Sequence, residues 1–402
     1  MLVNALYNVV DRIFIGNIPG VGSMAIAGLG VTMPIATIIL AFGMLVGVGS
    51  ATNVSIKLGQ GKKEEAQNII GSGMILSVII GILLTVVGII FCDQILNMFG
   101  ASEATLSYAK AYTNILLLGA TFAVMSMFFN NVIRGDGNPK LSAIIMVIGC
   151  LTNIVLDAIL IFKFNMGIQG AAIATITSQA LTSIWGLSYY LRKKSNLEFK
   201  VSTLRLNSKA IKSIFAIGVS PFAIQIAASL VQVISNQSLK THGGDLAIGA
   251  MATISSISLL FLMPTFGISQ GMQTIIAYNY GAKQFDRAKK ALSIGILGAA
   301  GILSFGLIAI LLFPKHFISI FTKDARLMEL ALNGISIYSL TLPAIGICIL
   351  GTVYFQSIGS AKKSIILSLL RQVIVFIPLI LIVPKYFGLN GVWAAQPLAD
   401  IV

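Results

Sequence analysis

The sequence predicts an all-α polytopic membrane protein of about twelve transmembrane helices, arranged as two six-helix lobes related by a parallel repeat. Three observations carry that reading: too few charges for a water-covered surface, apolar blocks of bilayer-spanning length, and an internal repeat. Only 10% of the 402 residues are charged and 56% are hydrophobic, whereas an ordinary soluble domain is roughly 25% charged. The apolar residues are also contiguous, as in 69–91, 141–162, 291–313 and 364–383. Each block approaches the ~20 residues that cross a bilayer as helix. A membrane β-barrel needs short segments of alternating polarity instead, and the chain has no such pattern.

Apolar blocks and polar breaks place the spans near 1–15, 24–56, 69–91, 105–133, 141–163, 169–191, 211–238, 246–278, 290–313, 328–356, 362–384 and 389–402. Several exceed the minimum length, which implies tilt or extension beyond the hydrocarbon. The net charge of +14 does not imply a nucleic-acid partner, because the basic residues are spread over short loops. Most of them, including Lys57, Lys62, Lys63, Arg134, Lys140, Arg192, Lys283, Arg287 and Lys362, fall on one side of the predicted bundle. That side is expected to be cytoplasmic, with both termini inside and the chain multi-pass in the cell membrane. The segment 192–210 then reads as a cytoplasmic linker between an amino-terminal lobe, 1–191, and a carboxy-terminal lobe, 211–402. Cys92, Cys150 and Cys348 are too scattered for a disulfide framework or a metal site. His242 and His316 fall in predicted loops without further ligands beside them, so no metal centre is expected there.

The repeat is legible without gaps over a long stretch. Gly22, Ala25 and Ile26 lie 222 residues before Gly244, Ala247 and Ile248, and Gly49, Thr52, Gly59 and Ala66 lie 222 before Gly271, Thr274, Gly281 and Ala288. Gly137 and Lys140 pair with Gly359 and Lys362, and after one deletion MGIQGAA at 166–172 matches FGLNGVW at 387–393. An even number of helices per half keeps the halves in the same orientation. By the same alignment the first and last spans are expected to be truncated relative to their counterparts, spans 7 and 6.

Carboxylates inside spans are costly enough to need a reason, and they are few: Asp11 in span 1, Asp157 in span 5 and Asp400 in span 12. At about 1.5 Å of rise per residue, Asp11, Asp157 and Thr175 all fall roughly 8–9 Å below the outer boundary. Asn153 and Asp157 share a face of span 5 as i, i+4 neighbours, and so do Thr175 and Gln179 on span 6. Asn4, Tyr7, Asn8 and Asp11 form a polar stripe along span 1. Two carboxylates with amide and hydroxyl oxygens offer hard ligands for Na⁺, and the same crowding suits a carboxylate to carry a proton. Met125, Met127, Phe128 and Phe129 are candidates for an adaptable apolar cavity wall.

These residues carry a family resemblance. The segment NALYNVVDRIFIG at 4–16, RGDGNPK after span 4, Asn153 and Asp157 in span 5, and GIQGAAIAT at 167–175 resemble the multidrug and toxic compound extrusion transporters, of the multidrug/oligosaccharidyl-lipid/polysaccharide exporter superfamily. The resemblance covers the whole chain and is nearest the prokaryotic branch. It implies two lobes facing a central cavity, and export of cationic or amphiphilic small molecules against H⁺ or Na⁺ by alternating access. It also implies a cation site at Asp11, Asn153, Asp157 and Thr175. The wider substrate cavity is expected to draw on Asn4, Tyr7, Met127, Asn130, Gln179, Gln225, Gln232, Asn236 and Asp400. No cofactor beyond the coupling ion is expected, and the working form is expected to be a monomer in the lipid bilayer. A lipid or lipid-linked oligosaccharide flippase of the same superfamily is the alternative; the scarcity of Lys and Arg inside the spans weighs against anionic cargo. No span contains His, so a membrane-embedded enzyme is disfavoured.

Overall fold

The computed structural model describes residues 14–15, 22–99, 103–192, 195, 197, 204–320 and 325–401. Every regular element among them is helical, as long apolar blocks require: in hydrocarbon the backbone must satisfy its own hydrogen bonds. In chain order these are α1 (Gly22–Gly59), α2 (Lys63–Ile90), a short α3 (Cys92–Met98), α4 (Glu103–Leu118), α5 (Ala120–Gly135), α6 (Pro139–Ala158) and α7 (Gly167–Leu191). There follow α8 (Ser208–Gly281), α9 (Phe285–Leu312), a short α10 (Pro314–Ser319), α11 (Ala325–Tyr338), α12 (Leu342–Ser357), α13 (Ala361–Leu369) and α14 (Phe376–Ile401). Among the described residues, eight stretches are long and apolar enough to cross a membrane. The pair α4–α5, bent by 54°, makes a ninth. The helix α8 breaks at Gly244 and α14 at Gly388, so each of spans 2 to 12 has its helix. Span 1 lies almost wholly outside the described residues. His242 and His316, expected in loops, are instead exposed positions within α8 and α10.

The repeat reappears in the backbone. Positive φ occurs at Gly61 and Lys283, at Gly137 and Gly359, and at Gly167 and Gly388, three pairs that the sequence offset aligns. The inter-helix turns thus share their geometry in both halves. Glycine is the residue that takes this region without strain, and it occupies five of the six places.

The chain divides into two compact units. The amino-terminal unit comprises residues up to Phe222 together with Ala277–Lys283; the carboxy-terminal unit comprises Ala223–Ile276 and everything from Gln284 onward. The division between the compact units falls inside α8, after Phe222. Asn53 Nδ2 donates to the Ser213 carbonyl at 2.8 Å, and a Cβ on Gly49 would lie 2.3 Å from the Ile214 carbonyl oxygen. Both ends of the linker are held by the same unit: Ser195 donates to Asp136 at 2.6 Å, and Ser72 donates to the Arg205 carbonyl at 3.0 Å.

The RGDGNPK segment is a built corner. Asp136 is buried and accepts from Tyr189 Oη at 2.8 Å as well as from Ser195. Asn138 caps α6 by accepting from the Leu141 N–H at 3.1 Å, and Pro139 opens the helix, where a missing N–H is harmless. In the core, Val46, Ile70, Phe128, Phe129, Val132 and Tyr190 pack together. The carboxy-terminal unit has its own core, including Ile254, Leu303, Ile335 and Trp393. Small residues allow close approach between helices; a Cβ on Gly81 of α2 would sit 2.4 Å from Thr121 Cα of α5. The opposite face of α2 exposes Ile82, Leu83, Val86 and Ile90, as lipid contact requires.

Candidate functional site: a neutral cavity in the amino-terminal unit

Five helices, α1, α4, α5, α6 and α7, line a common space, α4 through Tyr112 and Leu116. On α7 the stripe is Thr175, Ser178, Gln179 and Thr182; on α5 it is Ala123, Ser126, Met127 and Asn130; on α1 it is Met33, Ala36, Thr37 and Leu40. Each set follows i, i+3, i+4, i+7 spacing, the signature of one helical face. From α6 come Ile145, Met146, Gly149, Cys150 and Asn153. Together they line a cavity of about 390 Å³, within the range of small-molecule sites. None of the lining residues is charged. The 25-residue helix α7 is not among the eight long apolar stretches, and four of its polar residues face this space.

Several of the polar groups are already engaged. Ser126 Oγ and Thr182 Oγ1 lie 2.7 Å apart, and the Thr182 hydroxyl also reaches the Gln179 carbonyl at 2.9 Å. Asn130 Nδ2 donates to the Ser142 carbonyl at 3.0 Å while the Ser142 hydroxyl donates to the Asn130 carbonyl at 2.8 Å. Asn153 Nδ2 approaches Thr175 Oγ1 at 3.5 Å, the outer limit of a hydrogen bond. Asn153 Oδ1 and Gln179 Oε1 have no hydrogen-bond partner among the described residues. Two acceptor oxygens are therefore available beside the cavity to a ligand donor or cation.

The structure brings Met127, Asn130, Asn153, Thr175 and Gln179 around this one cavity. Asp157 lies one turn beyond Asn153 on α6 and is fully buried. It sits just before the π-helical segment Ile159–Lys163, an irregularity that often accompanies functional positions. Asn4, Tyr7 and Asp11 lie outside the described residues. Of the apolar candidates, Met127 alone lines the cavity; Phe128 and Phe129 point the other way, into the core. Phe128 and Phe129 leave the helix about 100° and 200° round from Met127, which takes them off the cavity-facing stripe. Ser126, Ser178 and Thr182 were missed by the sequence reading, although extending the Thr175–Gln179 relation by one turn identifies the latter two.

The remaining candidates belong to the carboxy-terminal unit and not to this cavity. Gln232 Nε2 donates to Asn236 Oδ1 at 3.1 Å, and Gln225 is half-buried on the same helix. The buried carboxylate of Asp400 is engaged by Arg371, with Nη1 to Oδ1 at 2.6 Å.

A bundle of apolar helices with an internal repeat, a neutral cavity among them and a buried carboxylate beside it defines a multi-pass membrane transporter. The chain belongs to the MatE family, whose pattern matches residues 1–159 and 221–382. It is 28% identical to the multidrug export protein MepA of Staphylococcus haemolyticus, over 100% of this chain and 88% of the relative. It is 26% identical to MepA of Staphylococcus aureus strain MRSA252, over 97% and 86%. Among solved structures, an outward-facing multidrug resistance MATE family transporter of the MOP superfamily matches with a TM-score of 0.93 at 25% identity, covering 100% of this chain and 89% of that one. A MOP superfamily transporter from Pyrococcus furiosus, described as having a binding pocket of reverse polarity that suggests a different function, matches with the same TM-score, identity and coverage.

Proposed function

We propose that the chain is a cation-coupled antiporter that exports cationic or amphiphilic small organic molecules, exposing its cavity alternately to the two sides of the cell membrane. The observation that carries this reading is the cavity's chemistry. A space of about 390 Å³, walled by methionine, aliphatic, hydroxyl and amide groups and free of Lys and Arg, suits neutral or cationic amphiphiles. An anionic lipid-pyrophosphate would need cationic partners there. The names of the staphylococcal relatives agree with such cargo.

Coupling is assigned to Asp157, with Asn153 and Thr175 and with Asp11 of span 1, through H⁺ or Na⁺. The ion must bind the two conformations unequally if its gradient is to drive transport. A fully buried carboxylate one turn from the cavity supports this assignment, because a charge there is costly unless a proton or cation compensates it. The basic side of the bundle faces the cytoplasm in this reading, with both termini inside.

Purified protein in vesicles, given an imposed Na⁺ or pH gradient and a fluorescent lipophilic cation, tests the proposal. Wild-type chain is expected to move the dye only when the gradient is present, and Asp157→Asn is expected to insert normally yet lose gradient-driven transport. Gradient-driven transport at the wild-type rate by Asp157→Asn overturns the coupling assignment. A wild-type chain that moves no cation under either gradient overturns the transport reading itself.

A further inference from the structure

Two departures from the regular α-helix meet at one carboxylate in the carboxy-terminal unit. The 3-10 turn Ser339–Thr341 separates α11 from α12, and the π-helical stretch Leu370–Val375 separates α13 from α14. From the first comes Thr341, whose hydroxyl donates to Asp400 Oδ2 at 3.2 Å. From the second comes Arg371, whose Nη1 donates to Oδ1 at 2.6 Å. Gln396, one turn before Asp400 on α14, adds a donation from Nε2 to Oδ1 at 3.0 Å. The Asp400 side chain has 0% exposure and that of Arg371 20%.

A guanidinium, an amide and a hydroxyl directed at one carboxylate make a carboxylate-binding cradle, since charge-assisted hydrogen bonds of this kind are the strong ones. The chain's own Asp400 occupies it. The repeat shows what stands at the matching positions of the amino-terminal half. Arg371 aligns with Gly149, Gln396 with Thr175 and Asp400 with Gln179, and all three partners line the neutral cavity. The second half thus carries one positive and one negative group where the first has neither. Without Asp400, the guanidinium would stand in the membrane interior as an attractor for anions. With it, the pair is neutral, and a tethered carboxylate outcompetes a free one through its high effective concentration.

We propose that Asp400 is a specificity-determining residue: as a built-in counter-anion it keeps the cradle of Arg371, Gln396 and Thr341 closed to external carboxylates, so that the carboxy-terminal unit rejects anionic amphiphiles. The role in cargo choice rests on the transport reading above; the cradle itself does not.

Benzoate binding to the purified full chain in lipid nanodiscs, by calorimetry, tests the proposal in five proteins: wild type, Asp400→Ala, Asp400→Asn and the double variants Arg371→Gln/Asp400→Ala and Arg371→Gln/Asp400→Asn. Asp400→Ala is expected to gain saturable benzoate binding, at least about tenfold tighter than wild type, and the double variant to lose it. If Asp400→Ala unfolds during purification, the isosteric Asp400→Asn replaces it, and a benzoate-dependent rise in its unfolding temperature that Arg371→Gln/Asp400→Asn lacks counts as the gain. Benzoate binding by wild type as tight as by the variants, no gain in either single variant, or a gain that survives removal of Arg371 overturns the proposal. Tetraphenylphosphonium binding to wild type, measured alongside, reports on the transport reading separately: a chain that fails to bind the cation yet gains benzoate with Asp400→Ala has a cradle without that cargo.

Discussion

The Arg371–Asp400 pair lends itself to a double-mutant cycle whose outcome follows from its burial. With Nη1 and Oδ1 2.6 Å apart, the charge centres are about 4 Å apart, and at an effective dielectric constant near 20 their attraction is about 4 kcal/mol. Replacing Arg371 by Gln leaves the Asp400 carboxylate, which has no solvent exposure, with only Gln396 and Thr341 as donors. Replacing Asp400 by Asn leaves the guanidinium uncompensated. Removing one partner of a buried pair costs about 3–5 kcal/mol, so additive losses would reach about 6–10 kcal/mol in the double variant. The expected result is far smaller. Arg371→Gln/Asp400→Asn removes both desolvated charges and keeps neutral hydrogen bonds, placing it within about 1–2 kcal/mol of wild type. Thermal unfolding in detergent ranks the four proteins: both singles fall well below wild type and the double lies between. A double variant whose loss equals the sum of the two single losses would refute the reasoning, because it would mean the two charges do not depend on each other.

Four further substitutions probe other parts of the molecule. Gly59→Ala places a Cβ 2.0 Å from the Tyr278 carbonyl oxygen, a backbone atom that cannot rotate away, and is expected to destabilise by about 1–3 kcal/mol. Gly301→Ala, with nothing within 4 Å of the new Cβ, is expected to be neutral or to stabilise α9 by up to about 1 kcal/mol, and the two unfolding temperatures compared in one detergent decide it. Asp136→Ala removes the acceptor of Tyr189 and Ser195, a loss of about 1.5–3 kcal/mol for a hydrogen bond to a charged group, and is expected to speed proteolytic cleavage in the linker at 192–207; unchanged cleavage would show that the linker does not depend on that carboxylate. Thr182→Val keeps the shape of the cavity wall but breaks the contact with Ser126; it is expected to weaken binding of a lipophilic cation by roughly threefold to tenfold, corresponding to about 0.5–1.5 kcal/mol, and less in a Ser126→Ala background.

How far the site was legible depended on whether the relation was local. Asn153 with Asp157, and Thr175 with Gln179, were readable because four residues along a helix share a face wherever the helix goes. Ser178 and Thr182 obey the same rule and only required the stripe to be followed further. The Ser126–Thr182 contact, in contrast, joins residues of α5 and α7 whose spacing in the chain says nothing about distance. Phe128 and Phe129 were grouped with Met127 by composition, yet one position along a helix is enough to turn a side chain from cavity to core. Asp400 was recognisable as costly inside a span but not as compensated, since its partner lies on another helix within an interrupted stretch.

What the sequence by itself determined is the membrane class, the helices and the duplication. Each follows from local physics: apolar length sets the spans, and the matched turn positions at Gly137 and Gly359, and at Gly167 and Gly388, take the same positive φ. Tertiary structure alone decided which faces meet. The neutral cavity, the closure of Arg371 by Asp400 and the attachment of the first turns of α8 to the amino-terminal unit all depend on contacts between distant segments. Periodicity fixes the direction in which a side chain leaves its own helix, but the neighbour it finds there is chosen by the packing of the whole bundle.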